Sequence, residues 1–176
     1  MMMEKSVTHP VVVLRAPEPG DVDTMYNIEN DPQIWADGVT FAPLSHKQLY
    51  DYVDGYDGDI YATGQLRLII ELCEGKAVVG VVDLYDYDKI NRRAYIGITV
   101  VSSMRSKGVG KAALQTLCDY CSDKLDMKQL SAVIRADNHS CLAMFARCGF
   151  VETGRFPQWV RRGHTWFDAL HIHRLL

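Results

Sequence analysis

The residues with the clearest chemical purpose lie between Ala94 and Lys111. An apolar run, AYIGITVV, leads through SSM into RSKGVGK, a short basic loop carrying two glycines. Gly108 and Gly110 have no Cβ, so the chain can turn sharply there and its N–H groups can come close to an anion. A helix opening at this point adds unpaired N–H groups and the positive end of its dipole. Arg105, Lys107 and Lys111 bring full positive charges to the same spot. The chemistry this combination favours is the holding of a phosphate or pyrophosphate.

Spacing separates the kinds of phosphate loop. A Walker A loop needs glycine where this chain has Arg105, and Ser or Thr where it has Ala112, so that reading fails twice. A dinucleotide fingerprint fits loosely as Gly108-x-Gly110-x-x-Ala113. It should follow its strand at once, near the start of a βαβ domain, yet here it trails the strand and sits two-thirds along the chain. The pattern Arg-x-x-Gly-x-Gly after a strand is met without adjustment by Arg105-x-x-Gly108-x-Gly110. The plain alternative is a glycine-bearing loop that only starts a helix.

Such a loop must be delivered by a strand and followed by a helix, and the flanking sequence supplies both. Residues 94–101 read as the strand. The helix runs to about Lys124, with Val109, Ala113, Leu117, Cys118 and Cys121 on one apolar face. Gln129 to Arg135 is the next strand, and the helical crossover makes it parallel to the first. Upstream, Pro10 to Arg15 is a short strand, and Asp21 is placed to cap a helix from Val22 to Asn30. Asp31-Pro32 stops that helix, and 33–44 read as a loop containing Trp35 and Phe41. Ser45-x-x-Gln48 is a capping box for a second helix carrying Leu49, Tyr50 and Val53. The acidic segment Asp51 to Asp59 reads as a helix end and surface loop. Leu66–Cys73 and Ala77–Tyr87 form a hairpin that extends into the strand at Ala94 as an antiparallel meander. A short helix from Ser140 to Cys148 ends at Gly149, and Phe150–Val160 with Thr165–Leu175 make a last hairpin.

The 176 residues suit one domain, 1–176, with a sizeable core. No apolar run approaches the ~18 residues of a membrane span, and MMMEKSVTHP lacks a signal peptide's apolar core, so a cytoplasmic protein is expected. The five cysteines form no disulfide framework, and Cys118-x-x-Cys121 falls inside a helix without a second pair at zinc spacing, as small core residues would. The net charge of −3 hides an asymmetry. Residues 1–90 carry 6 Lys and Arg against 16 Asp and Glu, whereas 91–176 carry 13 against 6. The basic half suits an anionic cofactor, and the acidic half suits a cationic substrate or is simply a solvated face. No basic-aromatic pattern asks for nucleic acid.

The loop at Arg105-x-x-Gly108-x-Gly110 resembles the acetyl-CoA pyrophosphate loop of the GCN5-related N-acetyltransferase (GNAT) family. A second segment, Asn138-His-Ser140-x-x-x-x-Phe145-x-x-x-Gly149-Phe150, is similar to the family's Asn…Ser…Tyr…Gly-Phe stretch. The order of elements matches over nearly the whole chain. The contexts of Asp83, Arg92-Arg93, Ser140 and Gly149-Phe150 look most like the ribosomal-protein-alanine and spermidine acetyltransferase branches. The resemblance implies an α/β (α+β) GNAT fold: a mixed, mostly antiparallel sheet with one splayed parallel pair, flanked by helices. It implies acetyl-CoA held by Arg105, Ser106, Lys107, Gly108, Val109, Gly110 and Lys111, and by backbone groups of Ile98, Thr99 and Val100. Asn138 and Phe145 would lie beside the pantetheine arm.

The implied reaction needs an N–H donor for the developing oxyanion, worth about 10²–10³ in rate. It also needs the removal of a proton from an amine whose pKa is roughly 10, to which a base adds about 10²–10⁴. The family's usual leaving-group Tyr is Phe145 here, and its usual strand Glu is Tyr95. Asp83 is therefore the candidate base or ammonium anchor, with a solvent-facing strand residue as its plain alternative. Tyr95 or Tyr85 would assist. No nucleophile with a partner base is evident, so attack is expected to be direct. The expected acceptor is a small cationic amine such as a polyamine or diamine, with a protein N-terminal amine as the runner-up. A weakly active acyl-CoA-binding module is the other class, and a homo-oligomer is possible. His171-x-His173 reads as a polar sheet face rather than a metal site. Trp159 and Trp166 read as sheet or core packing rather than as walls of a substrate pocket.

Overall fold

The structure is a computed structural model and describes residues 10–35 and 42–176. Seven strands form one sheet: β1 (Val12–Arg15), β2 (Leu66–Leu72), β3 (Val78–Asp88), β4 (Arg93–Val100), β5 (Gln129–Arg135), β6 (Val151–Arg162) and β7 (Thr165–Leu175). Their spatial order is β1-β2-β3-β4-β5-β7-β6. Every neighbouring pair is antiparallel except β4 with β5. The helices are α1 (Val22–Glu29), α2 (Pro32–Trp35), α3 (His46–Asp54), α4 (Ile60–Thr63), α5 (Val109–Asp123) and α6 (His139–Arg147). None of them, among the described residues, is long and apolar enough to cross a membrane.

The period-2 pattern of the strands sorts side chains onto two faces. Leu68, Ile70, Val82, Leu84, Ile96, Leu130, Ala132 and Ile134 point to one face and pack against Ala113, Leu114, Leu117 and Phe145 of α5 and α6. Ile69 and Val81 point to the other and meet Val22, Met25 and Ile28 of α1 and Leu49 and Val53 of α3. Cys118 and Cys121 lie in the larger core as expected. Burial pushes the Cys118 thiol up to about 11 and raises that of Cys121, so both stay protonated.

Two expectations about helix starts fared differently. The Ser45 box forms, with Ser45 Oγ accepting from the Gln48 N–H and Gln48 Oε1 accepting from the Ser45 N–H. Asp21 occupies the N-cap of α1 but makes no side-chain cap bond. Its carboxylate accepts instead from Arg15 at 2.7 and 2.9 Å and from the Glu18 N–H, because a buried acid gains more from a guanidinium than from a helix end. Two one-turn helices have no counterpart in the sequence reading. Pro32 stops α1 as expected but opens α2, and Asp59 caps α4. Positions 36–41 of the expected loop, including Phe41, lie outside the described residues.

Candidate active site

The parallel pair expected from the crossover is present, but it is short. β4 and β5 pair only at Arg93↔Gln129, Ala94↔Leu130 and Tyr95↔Ser131. Beyond these, β4 stays with β3 as far as Val100, and β5 stays with β7 as far as Arg135. The strands therefore part, and the edge of β4 from 96 to 100 is open. Into this opening runs a cleft of about 2040 Å³, well above the ~300–1,000 Å³ of a single-ligand site, so it has room for two reactants.

The anion loop stands at one end of the cleft. Gly108 is the N-cap of α5 at φ 85°, a conformation that favours glycine. The first backbone bond of the helix is Ala112 N–H to the Gly108 carbonyl, so the N–H groups of Val109, Gly110 and Lys111 lie ahead of its ladder. A Cβ on Gly110 would come 2.7 Å from Met144 Sδ, so this glycine lets α5 and α6 approach. Arg105 Nε donates to the Val100 carbonyl at 2.9 Å, tying the loop to the end of β4. Ser106 turns at φ 59°.

Of the predicted cofactor residues, Ile98, Thr99, Val100, Arg105, Ser106, Gly108, Gly110, Lys111, Asn138 and Phe145 all line the cleft. Two do not. Val109 is 1 % exposed, because the helical period that makes it a core residue turns it inward, so only its N–H can serve a phosphate. The exposed Lys107 side chain points elsewhere, with its Nζ near Met104 Sδ. Asn138 caps α6, accepting from the Cys141 N–H at 3.2 Å, so the turn-forming role and the cleft position coincide. Phe145 is 1 % exposed and meets Phe150 edge-on at 4.9 Å.

The open edge, the left-handed Gly108, the helix N-terminus and the surrounding cations fit a phosphorylated cofactor with an extended amide arm. A family model for the acetyltransferase (GNAT) domain matches residues 12–151. The chain belongs to the GNAT acetyltransferase family. It is 24% identical over 147 residues to the spermidine N(1)-acetyltransferase of Vibrio cholerae, covering 84% of this chain and 83% of that one. Over 79 residues it is 28% identical to Bacillus subtilis YdaF, provisionally named a ribosomal N-acetyltransferase, covering 45% of this chain and 43% of that one. The crystal structure of the Vibrio cholerae spermidine enzyme in complex with CoA and spermine superposes with a TM-score of 0.82 at 22% identity, over 93% of this chain and 95% of that one. The GNAT fold and acetyl-CoA dependence expected from the sequence are thus borne out.

At the other end of this GNAT cleft lies a wall from α1, α3 and the β2–β3 hairpin. Asp83 is half-buried on the cleft wall and is not free. Its carboxylate takes Arg67 Nε at 2.7 Å and Nη2 at 3.1 Å, while Arg67 Nη1 reaches Glu29 at 2.5 Å. Burial works against the guanidinium charge, but Asp83 and Glu29 outweigh it and raise the Arg67 pKa. The Arg67 guanidinium carbon lies 5.9 Å from the Tyr52 ring centroid. Arg67 went unnoticed in the sequence, although a lone arginine alternating with apolar residues in LRLIIEL is a signal. Tyr95 is half-buried and does not line the cleft; Tyr85, stacked on it at 5.7 Å, does. Burial first, then Asp86, Tyr95 and Asp83, raise the Tyr85 pKa and keep its phenol protonated. Among the described residues no group of three or more His, Cys, Asp or Glu is set to hold a metal. His171 Nδ1 instead pairs with Thr153 Oγ1 at 2.7 Å.

Proposed function

We propose that this chain, as one domain over 1–176, transfers the acetyl group of acetyl-CoA to a primary amine of a small cation, a polyamine or diamine, in the cytoplasm. The observation that carries the reading is the acceptor wall. Glu29, Asp57 and Asp83 line it beside Arg67, together with the rings of Tyr52, Tyr56 and Tyr85. Negative charge and aromatic faces both favour an ammonium group. The spermidine acetyltransferase relative, and its structure with CoA and spermine, support the same acceptor class. A dodecameric structure of that enzyme supports assembly of several copies.

In this scheme the thioester supplies the activated acetyl carbonyl. The basic loop and the N–H groups opening α5 hold the phosphates, and the open edge of β4 aligns the amide arm and offers the oxyanion an N–H donor. Asp83, oriented by Arg67, anchors the ammonium and accepts its proton directly or through water. Tyr85 holds a phenolic proton at the acceptor mouth, with Tyr95 packed behind it. Phe145 has no proton to give, so the thiolate leaves by virtue of its own low basicity. The second reading, an acyl-CoA-binding module with little turnover, is favoured by that phenylalanine and by the engagement of Asp83 with Arg67.

Thermal unfolding with acetyl-CoA and with CoA, for wild type and Gly108→Asp, tests the cofactor. At ~100 times Kd either ligand adds about 2.7 kcal/mol to the wild type and nothing to the variant. Thiol release with spermidine, spermine, putrescine and an alanyl peptide tests the acceptor. Turnover above hydrolysis with the polyamines supports the enzyme. CoA binding without turnover across all four amines leaves the module.

A further inference from the structure

Five aromatic side chains run without a break from the cleft across the sheet face opposite α5 and α6. Tyr85 lines the cleft, and Tyr95 stacks on it at 5.7 Å with 22° between the rings. His171 meets Tyr95 edge-on at 5.9 Å, Phe156 meets His171 at 6.4 Å, and Trp159 lies on Phe156 at 4.8 Å. The run passes over β5, where the residue in register with Tyr95 is the small Ser131. α1 and α3 cover this face only over β2 and β3, and Tyr95, Val133, His171 and Phe156 remain half-buried.

The outer end of the run is built on a bulge. Between Phe156↔Ala169 and Val160↔Phe167, the residues Pro157, Gln158 and Trp159 of β6 oppose the single residue Asp168. The Asp168 carboxylate accepts from the Gln158 N–H at 2.9 Å and from Arg155 Nε at 2.8 Å. Its main-chain carbonyl accepts from the Ala136 N–H, which ties the bulge to the cleft-lining segment after β5. Gln158 sits at φ 50°, a costly conformation for a residue with a side chain. The Trp159 indole is 60 % exposed. Packing does not account for a strained, hydrogen-bonded device that holds an indole in water. Bulges beside active sites commonly re-aim a side chain.

We infer that this aromatic run is an outer subsite of the acceptor cleft, binding the distal ammonium groups of a linear polyamine on the faces of Tyr95, Phe156 and Trp159. The inference rests on the acceptor class proposed above and assigns a place to the far end of its longer members. Ring faces attract cations, best over an indole. Phe156 and Trp159 lie 4.8 Å apart, and His171 stands between Phe156 and Tyr95, so the run offers faces at more than one point along a long chain. Of the charges beside the run, Arg155 is paired with Asp168, burial and then His173 lower the His171 pKa and favour its neutral form, and Arg161 and Arg162 follow Trp159 along β6. At the inner end Asp83 and Glu29 continue the attraction into the cleft.

The test is calorimetric binding of spermine and of 1,3-diaminopropane to the whole chain, beside kcat/KM for both, in wild type, Trp159→Ala, Phe156→Ala and Trp159→Phe. Trp159 is exposed, so its alanine variant is expected to fold. Spermine affinity and kcat/KM should fall about fivefold to tenfold in Trp159→Ala and be restored by Trp159→Phe, with the short diamine unchanged. Spermine affinity unaltered in both alanine variants, or equal losses for both amines, overturns the subsite. If no amine is acetylated but spermine binding depends on Trp159, the subsite stands and the acceptor reading falls. If spermine is acetylated normally by Trp159→Ala, the reverse holds. A change in sedimentation with spermine affinity intact would make the bulge a contact between copies, and the inference fails.

Discussion

Arg67 is the residue on which the acceptor wall depends. One guanidinium satisfies two carboxylates on different elements, Glu29 of α1 and Asp83 of β3, with side-chain exposures of 14% and 29%. Removing it would leave two like charges facing each other in a half-dry site. Arg67→Met is expected to lower stability by about 1–3 kcal/mol, discounted from the cost of breaking a fully buried pair because water reaches both acids. Arg67→Lys should recover little, since a single ammonium cannot reproduce the forked contact with Asp83. Urea unfolding of the three proteins checks this, and a fully stable lysine variant would show that charge alone suffices. The sequence made Asp83 legible as an acid near the site, but not its partner. Sixteen residues separate them along the chain, and only the β2–β3 register brings them together. Gly108 was readable from residue type and spacing because its role is local. Trp159 and Trp166 were not: both were expected in packing, yet they are 60 % and 54 % exposed.

Among the elements, β4 owes its shape to a glycine on its neighbour. Gly80 pairs with Val100, and a Cβ there would collide with the main-chain carbonyl of Thr99. Gly80→Ala must therefore push the end of β4 away from β3. Such overpacking costs about 1–3 kcal/mol. Because the displaced segment is the edge proposed to align the amide arm, CoA affinity should weaken together with melting temperature. A CoA titration settles the point, and unchanged affinity would separate this edge from cofactor binding. The parallel pairing of β4 with β5 was legible, since a helix between two strands leaves little choice of direction. How soon the strands part was not, because it depends on which neighbour each keeps. The β6 bulge was hidden for the same reason: register is a long-range property. α4 has too few residues to show a period.

Taken whole, the charge asymmetry of the sequence becomes a division of labour. The acidic first half builds β1 to β3 and the wall proposed to take the acceptor, while the basic second half supplies β4 to β7 and the loop proposed to hold the phosphates. Far from the cleft, Arg15 joins Asp21 to Glu71 and so fastens the chain before α1 to β2. Burial raises the Asp21 pKa, but the hydrogen bonds from Arg15 and the Glu18 N–H, with the Arg15 charge, lower it further. A carboxylate depressed in the folded state contributes stability above its unfolded pKa of about 3.9 and loses it as pH falls through the folded value. Asp21→Asn should thus cost about 1–3 kcal/mol at neutral pH, and its deficit should shrink below about pH 4. Chemical denaturation at pH 7 and pH 3 reads both, and a deficit independent of pH would assign the loss to packing.

With only three rungs joining β4 to β5, the molecule is two leaves hinged along a short spine, held otherwise by the helices across one side. An acetyl donor lying between the free edges, as proposed above, would also stitch that spine. Occupancy and folding would then draw on one free energy, so the acetyl donor would steady the fold that binds it.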